Sequence, residues 1–216
     1  MASIVGKSQG SRKPYDLKRM SEKELLQCID NNACSRQHGE WDIADELAAR
    51  GGVTFMTGAY ARADAAQRGV LVKALFRINN PRVLAFMRKI AFVGLKPGQP
   101  DYDPEYFPLQ YLAKGCNKRA LARLSRYANI KDAYPVGCIL WQNTVKQFGA
   151  CGYRPAIPYL IEALTTACFN IDDNAFEGLR KLLPGVCTGE FKTPEAAQEC
   201  YAKAAKRRGI KLYGKH

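Results

Sequence analysis

The chain has 216 residues, is 47% hydrophobic and carries a formal charge of +13. That length and apolar content suit one sizeable domain or one short array of repeats, and they exclude a disordered chain. No apolar run approaches the roughly 20 residues that cross a membrane. The nearest, residues 136–145, is interrupted by Gly137, Gln142 and Asn143.

Residues 1–19 carry Lys7, Arg12, Lys13, Lys18 and Arg19 against Asp16, and read as a basic, flexible arm. They lack the apolar region of a secretory leader, so the expectation is a cytosolic chain or one whose leader has been removed. Ser21 with Glu24 three residues on is a capping box that starts a helix through Leu25, Leu26 and Ile29. Trp41, Ile43, Ala44, Leu47 and Ala48 follow helical spacing until Gly51-Gly52 stops them. These two helices are expected to form an atypical cap.

Residues 64–78 predict a helix with Val70, Leu71, Ala74, Leu75 and Ile78 on its apolar side. After a short turn, Pro81 opens a second helix through Val83, Leu84, Met87, Ile90 and Ala91, at a position where the missing N–H loses nothing. Residues 94–103 form a long Gly- and Pro-rich loop, a candidate binding segment. Helices are then predicted over 104–114, 118–127, 135–148, 154–168 and 172–183. A last helix begins at Thr193-Pro194-Glu195 and carries Ala196, Ala197, Cys200 and Ala204. Strand signals are nearly absent, so the chain reads as all-α.

Three stretches share one pattern: 80–87, 117–124 and 153–160. Each opens with a polar residue, carries Arg82, Arg119 or Arg154 within its first three positions, and then spaces apolar residues helically. Met87, Leu124 and Leu160 hold equivalent places, 37 and 36 residues apart. Such a period marks stacked helical hairpins, each covering its neighbour's apolar face. Residues 145–164, with Gly149 to Gly152 in the turn and Ala156-Ile157-Pro158-Tyr159-Leu160 opening the next helix, resemble a HEAT-type repeat. Residues 64–92 and 104–127 resemble it more loosely, and the tail 191–201 is similar to the closing helix of some exported bacterial HEAT-like proteins. The resemblance spans about 64–185. It implies a short α-solenoid of HEAT-like helical hairpins with atypical terminal helices, whose surface binds other macromolecules. It carries over no catalytic residue. The expected domain covers 20–208, followed by a basic tail over 209–216.

The eight cysteines are even in number and contain no Cys-x-x-Cys pair. With only His38 and His216 beside them, a zinc site is poorly supported. Disulfides in an oxidising compartment are the expectation, against the alternative of buried free thiols. In stacked hairpins, Cys116 and Cys151 occupy matching turns. Cys138 and Cys168 sit at adjacent ends of two antiparallel helices. Cys28 and Cys34 flank a helix end, and Cys187 and Cys200 lie across the loop before the last helix. The expected bonds are therefore 28–34, 116–151, 138–168 and 187–200.

Arg119, Arg123 and Arg126 form one helix stripe, opposite Leu121, Leu124 and Ala128. They could receive carboxylates or phosphates, although a solvated helix face has the same pattern. Arg82, Arg119 and Arg154 recur with the repeat and are expected to hold turns or helix ends. In 101–107, acids alternate with aromatics, and Tyr102 and Phe107 are contact candidates. Trp141 reads as core, and Asp172-Asp173 as the start of a helix. No catalytic motif, phosphate loop or cofactor signature is present. The expected function is non-enzymatic binding of an acidic protein partner in a periplasmic or extracellular space, for instance as an immunity or inhibitor protein against a secreted toxin. The alternatives are a nucleic-acid-binding protein of the HEAT-like DNA-repair glycosylase type, and an assembly scaffold.

Overall fold

The structure is a computed structural model. It describes residues 15–92, 103–127, 136–166 and 170–212, without the side chains of 103–105, 126, 127 and 136–141. Among the described residues every regular element is helical. The chain divides into two compact units, residues 1–83 and 84–216.

In the first unit, α1 (Glu22–Asp30) starts at the predicted capping box. The Ser21 hydroxyl accepts from the Glu24 backbone N–H, and the Glu24 carboxylate accepts from the Ser21 N–H at 2.6 Å. The Ser21 hydroxyl also donates to that carboxylate, which is the largest reason that the Glu24 carboxyl lies below its usual range. Its contribution to stability is therefore present above the ordinary carboxylate pKa and lost as pH falls through the lowered value. Asn31 caps α2 (Asn32–Gln37), and the Cys28–Cys34 bond joins these two helices.

α3 (Glu40–Ala49) ends at the Gly51-Gly52 turn, and α4 (Val53–Tyr60) follows. α4 went unread in the sequence because its eight residues are too short to display a period. Asp64 caps α5 (Ala65–Arg77), which packs against α1, α3 and α4. The sequence suggested one apolar side for α5. Instead, every residue from Gly69 to Leu75 is buried, so α5 is the centre of its unit. That burial includes Lys73, whose ammonium lies 2.5 Å from the Glu40 carboxylate.

The chain before α1 is also folded from Tyr15 onward. Leu17 is buried, and the Arg50 guanidinium donates to the Leu17 and Met20 carbonyls at 2.7 and 2.5 Å. The expected arm therefore ends earlier than residue 19, because a distant arginine captures these carbonyls.

α6 (Pro81–Ile90) has Pro81 at its first position, as expected. In the second unit, α7 (Asp103–Lys114) and α8 (Lys118–Tyr127) form a hairpin, followed by α9 (Val136–Ala150). A 3-10 turn, Arg154–Ala156, leads into α10 (Ile157–Ala163), which is shorter than the helix predicted to 168. α11 (Ile171–Leu182) has Asp172 and Asp173 in its first turn, and Thr193 caps α12 (Pro194–Arg207). α9 packs against α7, α8, α10 and α11, while α10 packs against α11 and α12. Met87, Leu124 and Leu160 are each fully buried.

The repeated pattern has a local cause. Asn80 and Asn117 are caps whose side chains accept from the Arg82 and Ala120 N–H groups at 2.8 and 3.0 Å. At the third site Tyr153 supplies no side-chain cap, and the 3-10 turn takes its place. α7 and α9 end alike. Asn117 N–H donates to Leu112 O and Cys116 N–H to Ala113 O; Tyr153 N–H donates to Phe148 O and Gly152 N–H to Gly149 O. The left-handed residues are Cys116, φ +56°, and Gly152, φ +61°. Cys116 thus corresponds to Gly152, and Cys151 stands one residue before the matching position.

Phe176, Phe191 and Tyr201 pack edge to edge in the second unit. Burial raises the Tyr201 phenol above its usual range. The nearby Arg180 opposes the rise by its charge and by its approach to the hydroxyl, although among the described residues no atom meets that hydroxyl in full hydrogen-bond geometry. Tyr201→Phe is expected to hold stability within about 0.5 kcal/mol or to raise it, whereas Tyr201→Ala should lose about 3–5 kcal/mol. Urea midpoints of the two variants check this. A large loss in the phenylalanine variant would mean that the hydroxyl is bonded after all.

Candidate interaction surface

α8 carries the sequence-predicted arginine stripe. Ala120, Leu121 and Leu124 are buried, which turns Lys118 and Arg119 to solvent and leaves Arg123 half-buried. The helix has four basic residues and no acid. The Arg126 side chain lies outside the described ones.

Arg119 does not project freely. Its guanidinium carbon lies 4.1 Å from the centre of the Phe92 ring, just past the end of α6. Stacking on an aromatic face keeps the charge while restricting the side chain, so less freedom is lost when a carboxylate is bound. Arg88 and Lys89, in the last turn of α6 shortly before Phe92, are both exposed. Arg82 and Arg154 are exposed too. The surface can hold anions by charge-assisted hydrogen bonds.

The proposed aromatic contacts fare differently. Phe107 is buried, with its ring edge-on to Tyr106 at 5.5 Å, so it is not available as a surface anchor. Residue 103 already belongs to α7, which turns Phe107 inward with the helix. Tyr102 and most of the loop 94–103 lie outside the described residues, as does the Trp141 side chain. Among the described residues, the large apolar side chain that is exposed is Trp41, at 43%. Lys73 and Arg77 lie 5.3 and 5.0 Å from its ring centre. Their acidic partners are Glu40 and Asp45. The helical spacing of Trp41 to Ala44 and Ala48 could not reveal this, because spacing reports a stripe and not how far the neighbouring helix covers it.

Three expected cysteine pairs stand at disulfide geometry: Cys28–Cys34, Cys116–Cys151 and Cys187–Cys200, with Cα separations of 5.2, 5.3 and 6.0 Å. The pair 138–168 lies outside the described residues. Among the described cysteine side chains none is free, the pattern of an oxidising compartment. The Cys116–Cys151 bond ties the end of α7, one residue before the cap of α8, to the end of α9. It therefore braces the start of the arginine helix.

Among the described residues no group of acids, histidines and cysteines could hold a metal ion, and no helix is long and apolar enough to cross a membrane. His38 is bonded through Nε2 to the Tyr15 carbonyl oxygen at 2.8 Å. Comparison of the chain with protein-family models, curated proteins and solved structures found no match.

Proposed function

We propose that this chain is a non-enzymatic binding protein of an oxidising, periplasmic or extracellular space. In this reading it is a short α-solenoid of HEAT-like hairpins that engages an acidic protein partner through α8. The observation that carries the reading is the Cys116–Cys151 bond. It ties the end of α7 to the end of α9 and braces the helix that presents Arg119. A rigid, positively charged helix face suits an acidic cleft or patch, and complementary charge speeds the encounter. Neutralisation of a secreted toxin by an immunity or inhibitor protein is one such use.

The test places a photo-crosslinking residue at Ala122, an exposed position between Arg119 and Arg123, in the secreted protein. The captured partner is then titrated against wild type and Arg119→Ala/Arg123→Ala/Arg126→Ala. The expected result is an acid-rich partner surface bound about 10- to 100-fold more weakly by the triple variant, on the scale of 1–3 kcal/mol for charged hydrogen bonds. Tight duplex-DNA binding with a steep salt dependence, abolished by the same triple variant, would instead assign the chain to the nucleic-acid class.

A further inference from the structure

A second basic cluster forms where the chain leaving α11 comes close to the chain leaving α12, and no sequence stretch contains it. Arg180 and Lys181 occupy the last turn of α11; Lys206 and Arg207 occupy the last turn of α12, with Arg208 and Lys211 just beyond. All six are exposed. The Arg208 guanidinium donates to the Pro184 carbonyl at 3.5 Å, which brings the end of α12 to the chain's exit from α11. The turn after α12 is closed by Gly209 N–H to Lys206 O and Ile210 N–H to Ala205 O, both 3.0 Å. These charges are therefore held by folded backbone.

Glu177 is bonded to Lys181 at 2.5 Å. Lys206, Arg207 and Lys211 have no acidic partner among the described residues. Attraction to the negative ends of two helices accounts for cations in their last turns, but not for Lys211, which lies past the helix.

We propose that this pole docks on an anionic lipid surface. Six clustered cations match the number that draws a protein to acidic headgroups. Half-buried Ile210 and Leu212 alternate with Lys211, so apolar side chains stand beside the charges at the depth where headgroups meet acyl chains. A single-stranded nucleic acid would need open aromatic faces for its bases. The nearby rings of Phe176, Phe191 and Tyr201 are packed on one another. The site is separate from α8 and does not depend on the identity of any protein partner.

The test is co-sedimentation of the full chain with vesicles of phosphatidylcholine alone and of phosphatidylcholine containing about one third phosphatidylglycerol, since anionic surface charge supplies the attraction. Binding is expected on the anionic vesicles only, falling steeply as salt shortens the screening length. Lys206→Ala/Arg207→Ala/Lys211→Ala should weaken it roughly 100-fold, three cations each worth about a factor of five at a charged surface. A Gln version of the triple variant guards against an effect of altered helix stability, and circular dichroism checks that both fold. Arg119→Ala/Arg123→Ala/Arg126→Ala should bind vesicles as wild type does. Equal binding to neutral vesicles, or unchanged binding by both pole variants, would overturn the proposal. So would duplex DNA bound through Lys206, Arg207 and Lys211 while anionic vesicles are not.

Discussion

Gly149→Ala is expected to destabilise the second unit by about 3 kcal/mol, the upper part of the range for overpacking a tight contact. A Cβ at Gly149 would stand 2.7 Å from the Gly178 Cα and 3.3 Å from its N. Both are backbone atoms, so no rotamer change relieves the clash, and α9 and α11 would have to part. Gly178→Ala should cost less. Its Cβ would meet the Gly149 Cα at 3.0 Å, but its next contacts are the Leu160 methyl carbons at 3.3 and 3.5 Å, and these can shift. Gly58→Ala in α4 is the control, because nothing lies within 4 Å of its Cβ. There the better helix propensity of alanine should add up to about 1 kcal/mol. Thermal melts should separate the three: a Tm lowered by roughly 10 °C for Gly149→Ala, an intermediate drop for Gly178→Ala, and a small rise for Gly58→Ala. A neutral Gly149→Ala would mean that α9 and α11 do not cross at this contact.

Removing the Cys116–Cys151 bond by Cys116→Ala/Cys151→Ala should lower stability by about 4 kcal/mol, the entropy of closing a loop of this length in the unfolded chain. The bond spans 35 residues, against 13 for Cys187–Cys200 and 6 for Cys28–Cys34. The same relation gives about 3 and about 2 kcal/mol for those two. A second comparison isolates the backbone. Cys116 has φ +56°, a conformation that opposes any side chain by about 1 kcal/mol or more. Cys116→Gly/Cys151→Ala should therefore be about 1 kcal/mol more stable than the double alanine variant. Denaturant midpoints in the absence of reductant give both differences. Equal midpoints for the two doubles would contradict the left-handed turn. If removal of the 28–34 bond were the most damaging, loop length would not be the governing term.

The arginine stripe was legible because its cause is local. Residues 119 and 123 are one helical turn apart, opposite Leu121 and Leu124, and caps at Asn80 and Asn117 reproduce the pattern at the starts of α6 and α8. The stacking of Arg119 on Phe92 was not legible. It joins side chains 27 positions apart in the chain, and neither residue type requires the other. Phe107 shows the opposite failure. Acids and aromatics around it imitate an exposed loop, yet α7 begins at Asp103 and carries the ring inward.

What the sequence by itself determined is where several of the helices begin. Ser21, Asp64 and Thr193 satisfy orphan N–H groups within four residues, and Pro81 and Pro194 stand where no N–H is needed, so these choices follow from nearby atoms. The three observed disulfides were also within its reach: Cys28 and Cys34 flank a helix end, Cys116 and Cys151 lie in turns of like spacing, and Cys187 and Cys200 lie across the loop before the last helix. Only the tertiary structure decided that α5 is buried all round, that Trp41 is left open, that Gly149 meets Gly178, and that cations of α11 and α12 share one pole. Periodicity tells which side of a helix is apolar. Which other helix covers that side, and how completely, depends on long-range packing that no local pattern encodes.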